Sequence, residues 1–443
     1  MADAPTSNNI STRQVRIAEL AKQMPAVALR TLSHHMDQEW LREAYRRTRK
    51  DGAPGIDGQT GASYAQGLDE NLRELEDRAK SGTYRAPPVR RVYIPKGKGK
   101  QRPIGVPTFE DKVLQRAVHM ILEPLYEQDF YDCSYGFRPG RSAHQALEVI
   151  DQWLYRSSGG WVLDVDVSSF FDSLVHEKLR DMLRQRVSDG VIVRLIGKWL
   201  RAGVLEGGVV HRSETGSPQG GVISPMMSNI YLHEVLDKWW HDVVLPRLHG
   251  RAQLVRYADD FVLLFSNQDD ALRVQDVLPK RFARFGLTLH PEKTRLVRFL
   301  PPGEGGRGGR PGSFDFLGFT HYLGKSRRGT WIPKRKTAKD RMSRAVRAMN
   351  QWLRRVRHEP IKWQAAALRR KLTGHFNYYG IAGNSFSVSR FRNETKRLWR
   401  NWLRRRSQRA ILTWEKFDVL LQSYPLPSPR LRRRWAAPST ANP

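Results

Sequence analysis

The chain has 443 residues and carries 76 Lys/Arg against 44 Asp/Glu, a net charge of +32. That length accommodates two or three domains with a substantial core, and that charge points to nucleic acid or an anionic membrane surface. No run of about 18 apolar residues is available to span a bilayer, the opening "MADAPTSNNISTRQ" lacks the apolar core of a signal peptide, and the single Cys133 excludes an internal disulfide framework or a multi-cysteine zinc site. A reducing, intracellular setting is expected.

In chain order, residues 1–12 read as disordered by composition, within a poorly ordered segment 1–30. Residues 32–48 read as an amphipathic helix with Leu32, Met36, Trp40, Ala44 and Tyr45 on one side. "RKDGAPGIDGQTG" is loop-like, and 68–80 is helical. "VRRVYIPKGKGKQRPIGVPT" alternates like a hairpin around a Gly/Lys turn. Helices are predicted over 109–129 and 142–156, separated by "DCSYGFRPGRS". "GGWVLDVDVSSFFDSL" reads as a strand running into a helix. A helix over 222–240 is expected to begin with Ser224 as its cap and Pro225 in its first turn. "LVRYADDFVLLF", residues 254–265, reads as a hairpin with Ala258-Asp259-Asp260 at its turn, followed by a helix over 269–285. "PPGEGGRGGRPG", around 302–312, reads as a flexible surface loop, and "SFDFLGFTHYL" as a strand.

Charge is unevenly distributed. Residues 325–434 hold 31 Lys/Arg and 5 Asp/Glu, a net +26, so the rest of the chain is near neutral. Two helices in that stretch, 341–357 and 391–406, combine one apolar face with Arg-rich faces. Trp331, Trp352, Trp363, Phe376, Tyr378, Tyr379, Trp399 and Trp402 are interleaved with the cations. Stacking plus phosphate neutralisation is the physics of RNA and single-strand binding.

The acids carry the chemistry. A lone Asp-Asp is an ordinary polar turn, but two carboxylates in an apolar stretch repel and are costly unless paired or bound to a cation. Neighbours in a turn can converge, and convergent carboxylates suit a hard cation such as Mg²⁺. "WVLDVDVSSFF" supplies more: Asp164 and Asp166 share one strand face, Asp166 nearer the strand's end. A strand-borne Asp166 beside hairpin-borne Asp259 and Asp260 is the carboxylate set of two-metal phosphoryl transfer.

These segments together resemble a known family. "IPKGKGKQRPIGVPT", "YGFRPGRS", "DVDVSSFFD", "GSPQGGVISPMMSNIYL", "YADD", "LHPEKT" and "FLGF" are similar to the ordered motifs of reverse transcriptases, most of all the bacterial group II intron-encoded proteins. The resemblance runs from about residue 35 to 410. "LRRKLTGHFNYYGIAGN" resembles the maturase region that binds intron RNA. The resemblance implies Asp166, Asp259 and Asp260 as metal-binding catalytic acids. It implies Phe171 under the sugar, Gln219 bordering the incoming nucleotide, and Lys96 and Arg102 on the triphosphate. It also implies Lys293 as proton donor to pyrophosphate. Asp164 and Asp172 are assigned to structure. Two Mg²⁺ ions are implied, with Mn²⁺ able to substitute, and dNTPs as substrates.

The implied fold is α+β: a right-hand polymerase with fingers and an antiparallel palm sheet over 31–325, a basic helical thumb/maturase (X) domain over 326–425, and a basic tail over 426–443. The implied function is RNA-directed DNA synthesis joined to intron maturation during retrohoming. The expected partners are group II intron RNA, an RNA template and a DNA primer or target, with no membrane. The expected location is the bacterial cytoplasm, at the nucleoid. With one cysteine and an end soon after the maturase region, no H-N-H endonuclease is expected. The alternatives are a domesticated reverse transcriptase in phage defence or spacer acquisition, and an RNA-binding splicing factor with a vestigial polymerase.

Overall fold

The computed structural model describes residues 4–97, 100–211, 215–216, 220–303, 311–407 and 411–431. The elements run α1 (Ala4–Gln23), α2 (Gln38–Arg47), α3 (Gly61–Tyr64), α4 (Leu68–Ser81), β1 (Val89–Gly97), β2 (Lys100–Val106), α5 (Phe109–Tyr126), α6 (Ala143–Arg156), β3 (Gly160–Val165), β4 (Val167–Ser168), α7 (Phe170–Ser173), α8 (His176–Arg184) and α9 (Gly190–Leu200). They continue through β5 (Val204–Glu206), β6 (Val209–His211), α10 (Ser224–Leu232), β7 (Ala252–Tyr257), β8 (Asp260–Phe265), α11 (Gln268–Ala283), β9 (Thr288–Leu289), β10 (Arg295–Phe299), β11 (Ser313–Phe316), β12 (Phe319–Lys325), β13 (Trp331–Thr337), α12 (Lys339–Arg355), α13 (Ile361–Tyr379), α14 (Ser385–Arg404) and α15 (Trp414–Ser423). Two compact units result: Met1–Ala146 with Leu163–Leu296, and Leu147–Val162 with Val297–Pro443. No described helix is long and apolar enough to cross a membrane.

The first unit is built around α5, whose Val113, Leu114, Ala117, Val118, Ile121 and Leu122 are all buried. The N-terminus departs from the expected disorder. α1 buries Ile10, Ile17 and Ala21, Gln14 donates to the Met120 carbonyl of α5 (3.0 Å), and Arg13 pairs with Asp37 (2.7 Å) and Glu39 (3.0 Å). A few well-spaced apolar residues therefore order a segment whose average composition is polar. The predicted helix over 32–48 begins later, at Gln38, where the Asp37 side chain accepts from Trp40 N.

β1 and β2 form the expected hairpin, with a register slip between Pro95 and Gly97. β1 also pairs in parallel with β5, and β5 with β6, giving a sheet ordered β2-β1-β5-β6. In the second sheet β8 lies between β3 and β7. The helix expected over 222–240 is present from Ser224 and runs on without a gap, but it widens after its first turns. α10 ends at Leu232 and wide, π-type turns follow over His233–Asp237 and Trp240–Val244. Its cap is Ile223 with no side-chain bond, and Ser224 is already helical, contrary to the expected Ser224 cap.

The second unit contains the antiparallel meander β11-β12-β13. "SFDFLGFTHYL" is therefore two strands, not one, turning at Leu317 and Gly318 with φ of 48° and 79°. The meander belongs to this unit, so the division falls at 296/297, ahead of the expected 325/326 boundary. α12, α13, α14 and α15 bury Met349, Leu353, Leu368, Leu372, Val388, Trp399 and Phe417 in one core. Gln364 ties them: its amide donates to the Val356 and Glu359 carbonyls (2.7 and 3.0 Å) and its oxygen accepts from Trp399 Nε1 (2.9 Å). The segment expected as a basic tail begins in packed chain: Leu426 is buried and Arg392 donates to the Pro427 carbonyl (3.0 Å). The Gly-rich loop lies mostly outside the described residues.

Asp189 holds α9 to the segment before α2. One carboxylate oxygen accepts from Val191 N and Ile192 N (2.9 and 3.1 Å), the other from Leu32 N and Ser33 N (2.9 and 2.8 Å). Burial pushes this carboxyl up, but the backbone donors outweigh it and hold it below its ordinary value. A depressed folded value stabilises the protein above the unfolded value near pH 4, and that stability is lost as the pH falls through the folded value. We predict that Asp189→Ala lowers the unfolding free energy by about 2 kcal/mol at pH 7. The gap should narrow below about pH 4. Urea unfolding at pH 7 and pH 3.5 measures both; a gap independent of pH rules out the carboxylate as the source.

Candidate active site

The hairpin is tight. β7 and β8 pair from Ala252↔Phe265 to Tyr257↔Asp260, which leaves only Ala258 and Asp259 unpaired. Two-residue hairpins take primed turns with positive φ at the first loop residue, and Ala258 has φ 57°. For a residue with a Cβ this costs about 1–2 kcal/mol. Asp260 is not in the turn, as expected from sequence, but is the first residue of β8. Asp259 is half-buried and Asp260 exposed.

A buried polar scaffold holds that turn. Arg256 on β7 is fully buried, and so is its partner Asp237. Nε donates to Asp237 Oδ1 (2.8 Å), and Nη2 bonds the other oxygen. Nη1 donates to Asn229 Oδ1 (2.9 Å) and to the Ala258 carbonyl (3.2 Å). Asn229 Nδ2 donates in turn to the Gly136 carbonyl (2.8 Å). Gly136 sits so close that a Cβ would lie 2.4 Å from Ala258 N. The backbone of Cys133 and Tyr135 brackets Arg256 with two further bonds of 2.8 Å. "YGFRPGRS" thus braces the "YADD" turn. The sequence reading passed over Gly136, Asn229, Asp237 and Arg256. The one signal available was a cation inside an apolar strand, "LVRY".

Asp166 follows β3, the strand next to β8 in the sheet. The "LHPEKTR" segment is zipped alongside it. Val167 pairs with Leu289 and Ser168 with Thr288, and His290 N donates to the Asp166 carbonyl (2.8 Å). Lys293 Nζ then reaches Asp166 Oδ2 at 2.7 Å, and Arg295 lies 3.6 Å from Asp164. Lys293 and Asp166 were expected in one site and are in contact. Phe171 is half-buried in α7 with its ring 5.4 Å from that of Phe170, and Asp172 is exposed beside it. Arg102 is exposed on β2, opposite Ile94. Lys96 is in β1 at the register slip, its side chain outside the described residues, and Gln219 also lies outside them.

The residues flanking Gln219 are described, and both flanks are fastened. Gly216 N donates to the Leu174 carbonyl (2.7 Å), and the His176 ring bonds the Gly216 carbonyl. On the other side Gly220, at φ 117°, lies against β2, where a Cβ would sit 2.6 Å from the Gly105 carbonyl. Ile223 N donates to Gln115 Oε1 (3.3 Å), and Gln115 Nε2 to Asp111 (3.1 Å). Tyr84 donates to the same carboxyl at 2.6 Å. Burial pushes Asp111 up to about 6 against those donors.

Among the described residues no three acidic, His or Cys side chains converge into a metal cage. The donor chemistry nonetheless suits a hard divalent ion. Asp166, Asp259 and Asp260 offer only carboxylate oxygens near the ends of adjoining strands, and Asp166 already holds a cation in the Lys293 ammonium.

A buried ion pair broken on one side leaves an uncompensated charge. We predict that Arg256→Met costs about 3–5 kcal/mol and that Arg256→Met/Asp237→Leu recovers most of the loss. Denaturant unfolding of both variants tests this; a single variant within 1 kcal/mol of the parent would remove the pair from this role.

Residues 94–321, half of the chain, match the model of the reverse transcriptase (RNA-dependent DNA polymerase) family. The chain is 39% identical over 289 residues to protein YkfC of Escherichia coli K12, covering 58% of this chain and 75% of YkfC. It is 44% identical over 174 residues to the group II intron-encoded protein LtrA of Lactococcus lactis, covering 39% of this chain and 28% of LtrA. It is 28% identical over 196 residues to nuclear intron maturase 4, mitochondrial, of Arabidopsis thaliana, covering 44% of this chain and 23% of that protein. The chain thus spans three-quarters of YkfC but under a third of LtrA. Braced hairpin, zipped acid strand and matched motifs lead to one assignment: the chain belongs to the reverse transcriptase (RNA-dependent DNA polymerase) family, among relatives that include group II intron-encoded proteins and intron maturases.

Proposed function

We propose that this chain copies RNA into DNA and serves as the maturase of a group II intron RNA, within a right-hand polymerase arrangement in which the second unit acts as the helical thumb. The observation that carries the reading is Asp166 beside the strand that opens on Asp260, with Lys293 on Asp166 at 2.7 Å. Two Mg²⁺ ions held by Asp166, Asp259 and Asp260, with Mn²⁺ able to substitute, would activate the primer 3′-hydroxyl and stabilise the departing pyrophosphate. Lys96 and Arg102 grip the dNTP triphosphate, a guanidinium being suited to bidentate phosphate contact. Phe171 lies under the sugar and rejects a 2′-hydroxyl. Gln219 borders the incoming base pair. Lys293 carries a proton on Nζ that it gives to the pyrophosphate oxygen as the bond to it breaks.

RNA binding belongs to the second unit. Its surface interleaves cations with rings: Lys371 lies 4.9 Å over Trp352, which stacks on Trp363 at 6.2 Å, and Arg400 lies 4.2 Å over Trp414. Phosphate neutralisation by these cations makes RNA binding fall steeply with salt. Assisted splicing of the intron, followed by reverse transcription at the DNA target, constitutes retrohoming.

Two predictions follow the two halves of this reading. In primer extension on an RNA template with Mg²⁺ and dNTPs, Asp259→Ala/Asp260→Ala should make no DNA yet still stimulate self-splicing of the enclosing intron. A folded parent protein inactive with every divalent metal defeats the polymerase claim, and a parent that leaves splicing unchanged defeats the maturase claim. Separately, Gly136→Ala should displace the hairpin tip. On the order of a 100-fold loss of extension is expected, as for a misplacement of about 1 Å, without loss of helicity by circular dichroism. Extension at the parent rate would show that this backbone contact does not position Asp259.

A further inference from the structure

A second basic surface lies in the first unit, far in sequence from the Arg-rich C-terminal stretch. Arg180 and Arg184 are one turn apart on α8. Arg194 and Lys198 are one turn apart on α9, and Arg201 caps its end. Between the two helices these five cations line a groove of about 540 Å³ with Ser188, Gly190, Val193 and Gly197. A second groove of about 480 Å³ shares Lys198 and Arg201 and adds Arg85.

The arrangement is costly, which argues against an ordinary solvated helix face. Like charges at i,i+4 destabilise a helix. α9 contains no acid that could relieve them. Among the described residues Arg184 has one carboxylate neighbour, Asp181 at 3.6 Å, and Arg180, Arg194, Lys198, Arg201 and Arg85 have no ion pair. Lys198 is held in place by the Gly82 and Tyr84 carbonyls (2.6 and 2.5 Å), so its charge is fixed and not free to swing away. The opposite side of α9 buries Ile192, Leu195, Ile196, Trp199 and Leu200, which sets the direction of the cationic side. The floor is bare at Gly190 and Gly197, with Arg194 and Arg201 guanidinium nitrogens 3.4 and 3.6 Å from where their Cβ atoms would be.

We propose that this groove binds the phosphate backbone of double-stranded nucleic acid. Its charge complements phosphate. No aromatic residue is among the described residues lining this groove, and Tyr84 of the adjoining groove is buried, so they offer no platform on which unpaired bases could stack. That separates it from the Trp-rich second unit and favours duplex over single strand. The proposal rests on the nucleic-acid reading above, but not on catalysis.

The test is fluorescence anisotropy of the full chain with a labelled 20-base-pair RNA–DNA duplex and with the same RNA strand alone, without divalent metal or dNTPs, across a salt series. Arg184→Gln/Arg194→Gln/Arg201→Gln should flatten the slope of log K against log salt by about 3 for the duplex, about 1 per lost phosphate contact. The slope for the single strand should change by less than 1. Arg184→Lys/Arg194→Lys/Arg201→Lys should keep the parental slope, and Arg194→Gln and Arg201→Gln alone should each remove about 1, which covers the case of a triple that fails to fold. An unchanged duplex slope overturns the proposal, as does an equal loss for the single strand. An acidic polypeptide that competes while the duplex does not would assign the groove to a protein instead. A chain that binds duplex here but extends no primer would defeat the polymerase reading and leave the groove standing.

Discussion

The hairpin that carries Asp259 depends on a charge buried beneath it. A two-residue turn with Ala258 at φ 57° does not hold itself, because an L-residue with a Cβ resists that conformation. Arg256 counters this by donating to the Ala258 carbonyl, while Asp237 and Asn229 fix the guanidinium from the other side. An apolar replacement for the ion pair could pack as well or better. It would leave the Ala258 carbonyl and the Asn229 amide without their donor, and the turn would lose its orientation. The pair serves position more than stability.

The other acid is held by different means. Asp166 is positioned through main chain: β3 runs into it, β4 pairs with β9 just beyond, and His290 N bonds its carbonyl. Its side chain is left for electrostatics, and Lys293 takes it up because the same zipper delivers residues 288–295 to that strand. The motif order along the chain has a physical meaning here. "YGFRPGRS" braces the hairpin, "LHPEKTR" flanks the acid strand, and the residues around Gln219 are tied to α5 and β2. Each motif supports the backbone of another more than it supplies groups of its own.

This explains which parts were legible in the sequence. The strand–turn–strand at 254–265, the hairpin after Val89 and the helices α11, α12 and α14 follow from local periodicity, which a sequence displays directly. Asp166 came from strand spacing and motif resemblance and Lys293 from resemblance alone, and the structure places their side chains 2.7 Å apart. What escaped was tertiary. Arg256 looks like an ordinary strand cation until Asp237, nineteen residues earlier, is seen against it. Gly136 is one glycine among 35, and only the nearness of Ala258 N distinguishes it. α1 was missed because polar composition outweighed Ile10, Ile17 and Ala21, and those three residues suffice once α5 offers a surface. The widening after α10 has no signature in composition, since π-type turns keep near-helical spacing for most residues.

The division of charge shows the limit of averages most clearly. Outside residues 325–434 the chain sums to near neutrality. Over 176–201 there are seven Lys/Arg and three Asp/Glu, an unremarkable excess. The fold then takes one acid and one cation out of that balance and sorts the others by position. Asp189 is consumed by four backbone donors, and Arg186 turns inward to Asp129. Arg180, Arg184, Arg194, Lys198 and Arg201 are gathered on one side of α8 and α9 while Ile192, Leu195, Ile196 and Trp199 go into the core. A helix with one apolar stripe must put its charges somewhere, and two such helices packed side by side concentrate them between their exposed edges. The basic groove is thus a consequence of how the hydrophobic positions are spaced, and it arises in a segment whose net charge gives no hint of it.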